Sequence, residues 1–138
     1  MLNEEIMDTM IRMAMDAMKN AYAEHVEIVS GACVLASDGT LYTGCTIGNV
    51  SARACCEAEE LAIYKAVSDG KRKFDAVAVI ADTEKPFVPV GNSLQLMSEF
   101  EVKTLVMANM NGEVDVRPLQ EVFPTGEMLR RNHRFYIE

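Results

Sequence analysis

Apolar residues recur every three or four positions through residues 3–24. Ile6, Met10, Met13, Ala14, Ala17 and Ala21 share one face, while Glu5, Asp8, Arg12, Asp16 and Lys19 fall mostly elsewhere. That period predicts an amphipathic helix, with Asn3 placed to cap it. The pattern then changes. Val26 to Ala36, carrying Ile28, Val29, Cys33, Val34 and Leu35, reads as a strand. Ser37-Asp38-Gly39 is a hairpin turn signal, and Thr40 to Thr46 is the return strand. A loop at Gly48-Asn49-Val50-Ser51 leads into a second helix from about Ala54 to Ser68, which Asp69-Gly70 ends. The first turn of that helix is expected to carry Cys55 and Cys56 beside Glu57 and Glu59.

The run Phe74-Asp75-Ala76-Val77-Ala78-Val79-Ile80-Ala81 is strongly apolar, as expected of a central strand covered on both faces. A loop with Pro86 and Pro89 precedes a short helix at about Ser93 to Glu99. Thr104 to Ala108 is a further strand, closed by Asn111-Gly112. Pro118 to Phe123 reads as a short helix, and Phe135-Tyr136-Ile137 in the charged tail as a last strand or packing arm. A hairpin feeding crossover units predicts an α/β fold: a mixed sheet with helices on both faces, a three-layer α/β/α sandwich. No repeat or linker divides the chain, so one domain over residues 1–138 is expected.

Charge narrows the partners. The net charge is −8 and the pI near 4.8, and the only basic clusters are Lys71-Arg72-Lys73 and Arg130-Arg131. A nucleic-acid backbone needs clustered Lys and Arg, so it is not the expected partner. No apolar run approaches the roughly 18–20 residues that span a bilayer, and the acidic start Met1-Leu2-Asn3-Glu4-Glu5 is unlike a signal peptide. The four cysteines, Cys33, Cys45, Cys55 and Cys56, form no Cys-x-x-Cys pair. Reduced thiols and a cytoplasmic location are expected.

Two stretches carry the candidate chemistry: Cys55-Cys56-Glu57-Ala58-Glu59-Glu60 and Pro89-Val90-Gly91-Asn92-Ser93-Leu94-Gln95. Acids at a helix start are favoured by the macrodipole alone. The surrounding residues add more. Gly31-Ala32, Asp38-Gly39, Gly44-Cys45 and Asn49-x-Ser51 come first. Ala58-Glu59, Ala62-Ile63-Tyr64-Lys65-Ala66, Ser68-Asp69-Gly70 and Phe74 follow, then Pro89-x-Gly91 and Ser98-Glu99-Phe100. In this order and spacing, over about residues 21–100, the chain resembles the small cytidine deaminases and, more distantly, blasticidin S deaminase.

The resemblance implies the cytidine deaminase-like fold and a homo-oligomer, tetramer or dimer, with sites at subunit contacts. It implies a zinc-bound water, acidified from 15.7 toward about 7, and a glutamate outside the ligand set that shuttles protons. That glutamate is Glu59. The three ligand positions fall at Glu57, Val90 and Ser93. Valine cannot coordinate, and neutral serine is a poor ligand beside thiolate or imidazole. Without the metal, up to about nine units of water acidity are forgone, on the order of 12 kcal/mol. The positions that hold ribose in the family fall at Thr46 and Gly48, and an aromatic that packs on the pyrimidine falls at Ile28. An arginine near the thiolates falls at Leu94, and a phenylalanine reaching a neighbour's site falls at Glu127.

The expectation is therefore a pseudoenzyme-like member with no cofactor. It would bind a nucleoside-like or other small molecule in a pocket lined by Ile28, Thr46, Gly48, Glu57, Ala58 and Glu127. Two alternatives stand beside it. One is a metal-free enzyme, for example one cleaving an N-glycosidic bond with Glu57 and Glu59. The other is a true cytidine deaminase with an atypical metal site.

Overall fold

The computed structural model describes residues 2–126. Ten elements follow in order: α1 (Glu4–Met18), β1 (Ser30–Ala36), β2 (Leu41–Cys45), a 3-10 turn (Ala52–Ala54), α2 (Ala58–Ser68), β3 (Phe74–Ala81), α3 (Gly91–Glu99), β4 (Thr104–Asn109), β5 (Val114–Pro118) and α4 (Leu119–Val122). The strands form one five-stranded sheet in the order β2-β1-β3-β4-β5. β1 runs antiparallel to β2 and β3, β3 parallel to β4, and β4 antiparallel to β5. The mixed sheet expected from the hairpin and the crossover through α3 is present.

Strand alternation sorts the core into two layers. On one face Cys33, Leu35, Ala76, Ala78, Ile80, Val106 and Ala108 pack with Met10 and Ala14 of α1. On the other, Ala32, Val34, Val77, Val79, Leu105 and Met107 pack with Ala58, Ala62, Ile63 and Ala66 of α2 and with Leu94 and Met97 of α3. This is the three-layer arrangement. Among the described residues no helix is long and apolar enough to cross a membrane.

Several boundaries differ from the sequence expectation, among them the start of β1, at Ser30 rather than Val26, and the start of α3, at Gly91 rather than Ser93. Asn3 caps α1 as expected, its Oδ1 accepting from the Ile6 amide at 2.8 Å, but the helix stops at Met18 rather than near residue 24. There the backbone turns to pair elsewhere. The Tyr22 amide donates to Thr46 O at 3.0 Å, and the Gly48 amide to Tyr22 O at 2.8 Å. His25 then takes a left-handed φ of 71°. α2 begins at Ala58, four residues late. Cys55 and Cys56 are not in its first turn. Cys56 exchanges two 2.9 Å backbone bonds with Ile47, so the segment before α2 is extended. Finally, β5 occupies a stretch for which the sequence predicts no element. Its residues are mostly exposed, so hydrophobic alternation marks it weakly. The predicted tail strand at Phe135-Tyr136-Ile137 lies outside the described residues.

α2 approaches the sheet closely because its sheet-facing stripe is Ala58, Ala62 and Ala66, all fully buried. Gly44 of β2 completes that contact. A Cβ there would lie 2.2 Å from Ala58 O and 2.7 Å from Ala62 N, both backbone atoms that cannot yield. Gly44→Ala is therefore expected to push α2 off the sheet and cost about 2 kcal/mol or more. Gly91→Ala, whose added Cβ meets nothing within 4 Å, should be neutral or stabilising by up to about 1 kcal/mol. Urea unfolding of both variants checks this; equal stabilities would show that α2 does not need the close approach.

Candidate active site

The candidate residues converge where the N-terminal turns of α2 and α3 meet, on the same face of the sheet. Glu57 is the N-cap residue of α2, and Val90 that of α3. Glu59 lies four residues before Ile63, on the helix face that the core covers. It is 0% exposed, and neither carboxylate oxygen has a hydrogen-bond partner. A buried carboxyl without a donor disfavours its charged form. Its pKa is pushed up to about 7, chiefly by burial and further by the charges of Glu57 and Glu60; the neighbouring Ser93 hydroxyl and the helix amide pull it part-way back. Half-buried Glu57 is also raised, by desolvation first and then by Glu60.

Glu60 holds this region together. Its Oε1 accepts from the Glu57 amide at 3.1 Å, and its Oε2 accepts from Asn92 Nδ2 at 3.0 Å and from Ser93 Oγ at 3.2 Å. The Ser93 hydroxyl thus donates to Glu60 while lying close enough to Glu59 to lower its pKa. The Glu57-x-Glu59 spacing does not single out Glu60. The available signal was an acid three residues after the N-cap, the spacing of a capping box.

The other expected pocket residues are placed differently. Thr46 is buried, but its Oγ1 is engaged at 2.8 Å by the Ser30 amide and at 3.0 Å by the Ser30 hydroxyl. Gly48 is a close-approach glycine: a Cβ there would sit 2.0 Å from Glu24 O. Ala58 is fully buried at the start of α2, whereas Ile28 is half exposed ahead of β1. Glu127 lies outside the described residues. Cys56 has its thiol pushed up to about 11, by burial and then by Glu60, Glu59, Glu57 and Cys45. A thiol held protonated in that way is a poor metal ligand.

Residues 4–109 match the family model described as "cytidine and deoxycytidylate deaminase zinc-binding region". The chain belongs to this deaminase family. A cytidine deaminase of Sporosarcina psychrophila is 38% identical over 110 residues, covering 78% of this chain and 81% of that protein. One from Halalkalibacterium halodurans is 34% identical over 117 residues, covering 83% and 89%. The crystal structure of cytidine deaminase from Burkholderia pseudomallei superposes with a TM-score of 0.81 at 31% identity, covering 89% of this chain and 98% of that one.

These relatives correct the expectation of a non-deaminase that merely binds a small molecule. Proteins 31–38% identical over most of the chain are named cytidine deaminase, and the reading they favour is the true-deaminase alternative. The expectation of no cofactor likewise meets a family defined by a zinc-binding region. The residues present do not fit that ion, however. Among the described residues no group of three or more His, Cys, Asp or Glu could hold a metal. Val90 offers hydrocarbon, and Ser93 gives its hydrogen to Glu60.

The raised Glu59 pKa has a sign that can be checked. A carboxyl whose folded pKa lies above its unfolded 4.5, here about 7, favours folding while it is protonated. That contribution is lost as pH rises from about 4.5 through 7, with a ceiling of about 3 kcal/mol. Urea unfolding at pH 5 and pH 8 should show the loss, and Glu59→Gln should flatten most of it. An unchanged pH slope in the variant would assign the effect to other groups.

Proposed function

We propose that the chain deaminates cytidine or a closely related aminopyrimidine nucleoside, with Glu59 as the proton carrier. The observation that carries this reading is the fully buried, unpartnered Glu59 carboxyl within the region that matches the deaminase family. In that reaction water adds to the ring carbon bearing the amino group, and ammonia leaves. One proton must pass from the water to the ring nitrogen, and another to the departing nitrogen. A carboxyl with a pKa near 7 can accept and return a proton at neutral pH with little penalty in either direction. Burial keeps bulk water from competing for it.

Glu57, Val90 and Ser93 are proposed to stand at the family's zinc-ligand positions, where this chain departs from the usual ligand set. No step of the present reading is routed through a metal. The nucleoside would approach past Val90, which is about half exposed at the start of α3. We also propose one deaminase domain over residues 1–138, a cytoplasmic location, and a homo-oligomer, dimer or tetramer. Exposed Tyr22, Val50 and Tyr64 support the oligomer.

Conversion of cytidine to uridine, followed by loss of cytidine absorbance, tests the activity directly. Turnover is expected from the purified chain, and Glu59→Gln should reduce kcat by at least a hundredfold. The assay should be run after chelator dialysis and again with added zinc. No turnover in any arm at high enzyme concentration would overturn the reading. Sedimentation equilibrium checks the oligomer; a monomer at micromolar concentration would remove it.

A further inference from the structure

β5 ends the sheet, and among the described residues no strand pairs with its outer side. Its register against β4 fixes which backbone groups face outward. The Asn109 amide donates to Glu113 O at 3.1 Å and the Leu119 amide to Lys103 O at 3.0 Å, so the odd-numbered residues of this stretch make the bonds to β4. The N–H and C=O groups of Val114 and Val116 therefore point away from the sheet, as does the carbonyl of Pro118. Proline has no N–H to give, and it stands where none is needed by β4. Val114 and Val116 lie beside Ala108 and Val106, on the α1 face of the sheet. α1 packs on β1, β2 and β3, and the two valines are 46% and 44% exposed. Asp115 and Arg117 alternate with them on the opposite face. Arg117 turns back on Asp115 at 3.0 Å and reaches Glu121 at 3.1 Å.

We propose that the outer edge of β5 docks a second copy of this chain, the two β5 strands pairing antiparallel about a two-fold axis at Val116. Strand addition of this kind needs outward backbone groups on both partners, and a two-fold axis supplies the same groups from each side. Val116 and its counterpart exchange backbone bonds, and each Val114 amide meets the Pro118 carbonyl across the axis. Charge selects this register. In Val114-Asp115-Val116-Arg117-Pro118 an axis at Val116 sets Asp115 opposite Arg117 on both sides. These are positions without backbone bonds, where facing side chains approach most closely. An axis at Asp115 or at Arg117 would instead set like charges against each other. Pairing thus exchanges the Asp115–Arg117 contact within one strand for the same contact between strands. It also brings the valines of both copies together on one face, covering apolar surface that a single chain leaves in water. Tyr22 and Tyr64 lie toward β2, at the opposite edge of the sheet, so the β5 surface is separate from theirs. It does not depend on the deaminase reading.

Amide hydrogen exchange of the full chain, read residue by residue by NMR, tests this edge apart from any other subunit contact. At near-millimolar protein the Val114 and Val116 amides should exchange at least about tenfold more slowly in the wild-type chain than in Asp115→Arg or Arg117→Asp, each of which sets like charges across the axis. Both side chains are well exposed, at 40% and 48%, and the same spectra report whether the variants fold. An equimolar mixture of the two variants restores opposite charges across the axis but not within either strand, and it should restore the protection. Amides that exchange freely in the wild-type chain overturn the proposal. So does protection that both variants retain, since the edge is then covered by the chain's own residues or by a contact of other chemistry. A mixture that stays unprotected overturns it as well. If a charge variant does not fold, Val116→Pro decides. It removes an outward N–H and none of the bonds to β4, so the Val114 amide should lose its protection; a Val114 amide that stays protected overturns the pairing.

Discussion

The constraint on which the site depends is the burial of Glu59 without a hydrogen-bond donor. A carboxyl in that position is costly, and native structures seldom leave one unmet. The fold keeps it there by packing on either side. The alanine stripe of α2 sits directly against the backbone at Gly44, which leaves no room for water between the helix and the sheet. On the other side α3 is held to α2 by the bonds to Glu60. Both devices fix the position of the helix start, and the position of the helix start fixes how deeply Glu59 lies.

Much of this was legible in the residues. The hairpin turn at Asp38-Gly39 and the apolar runs of β1 and β3 specify the layers. The burial of Glu59 could also be read: it precedes Ile63 and Ala66 by four and seven residues, so one helical face must carry all three. The start of α2 was less legible, because the extended pairing of Cys56 with Ile47 is a contact between segments nine residues apart. Local periodicity does not report such pairing. β5 escaped for a related reason. Its stability comes from backbone bonds to β4 at a solvent-facing edge, and its side chains, Val114, Asp115, Val116 and Arg117, alternate without a buried face.

Family membership and donor chemistry pull in different directions at the helix starts, and the two are compatible only if they describe different things. Likeness over residues 4–109 reports the scaffold and the route by which the sequence reached it. Donor identity reports what the present side chains can bind. Soft thiolates favour zinc, whereas a buried carboxylate, an amide and a hydroxyl exchange hydrogen bonds among themselves. Here those groups are already satisfied by one another, apart from Glu59. A cation placed among them would have to break the Glu60 contacts with Asn92 and Ser93 before gaining its own.

The unmet carboxyl then has a natural complement. A group that both donates to Glu59 and receives a proton from it relieves the desolvation penalty on binding, and water beside an aminopyrimidine ring offers both functions. The stability withheld from the free protein would reappear as interaction with the reacting atoms, which is where binding energy accelerates a reaction. A structural carboxyl would be expected to have found its own donor, as Glu60 did with three.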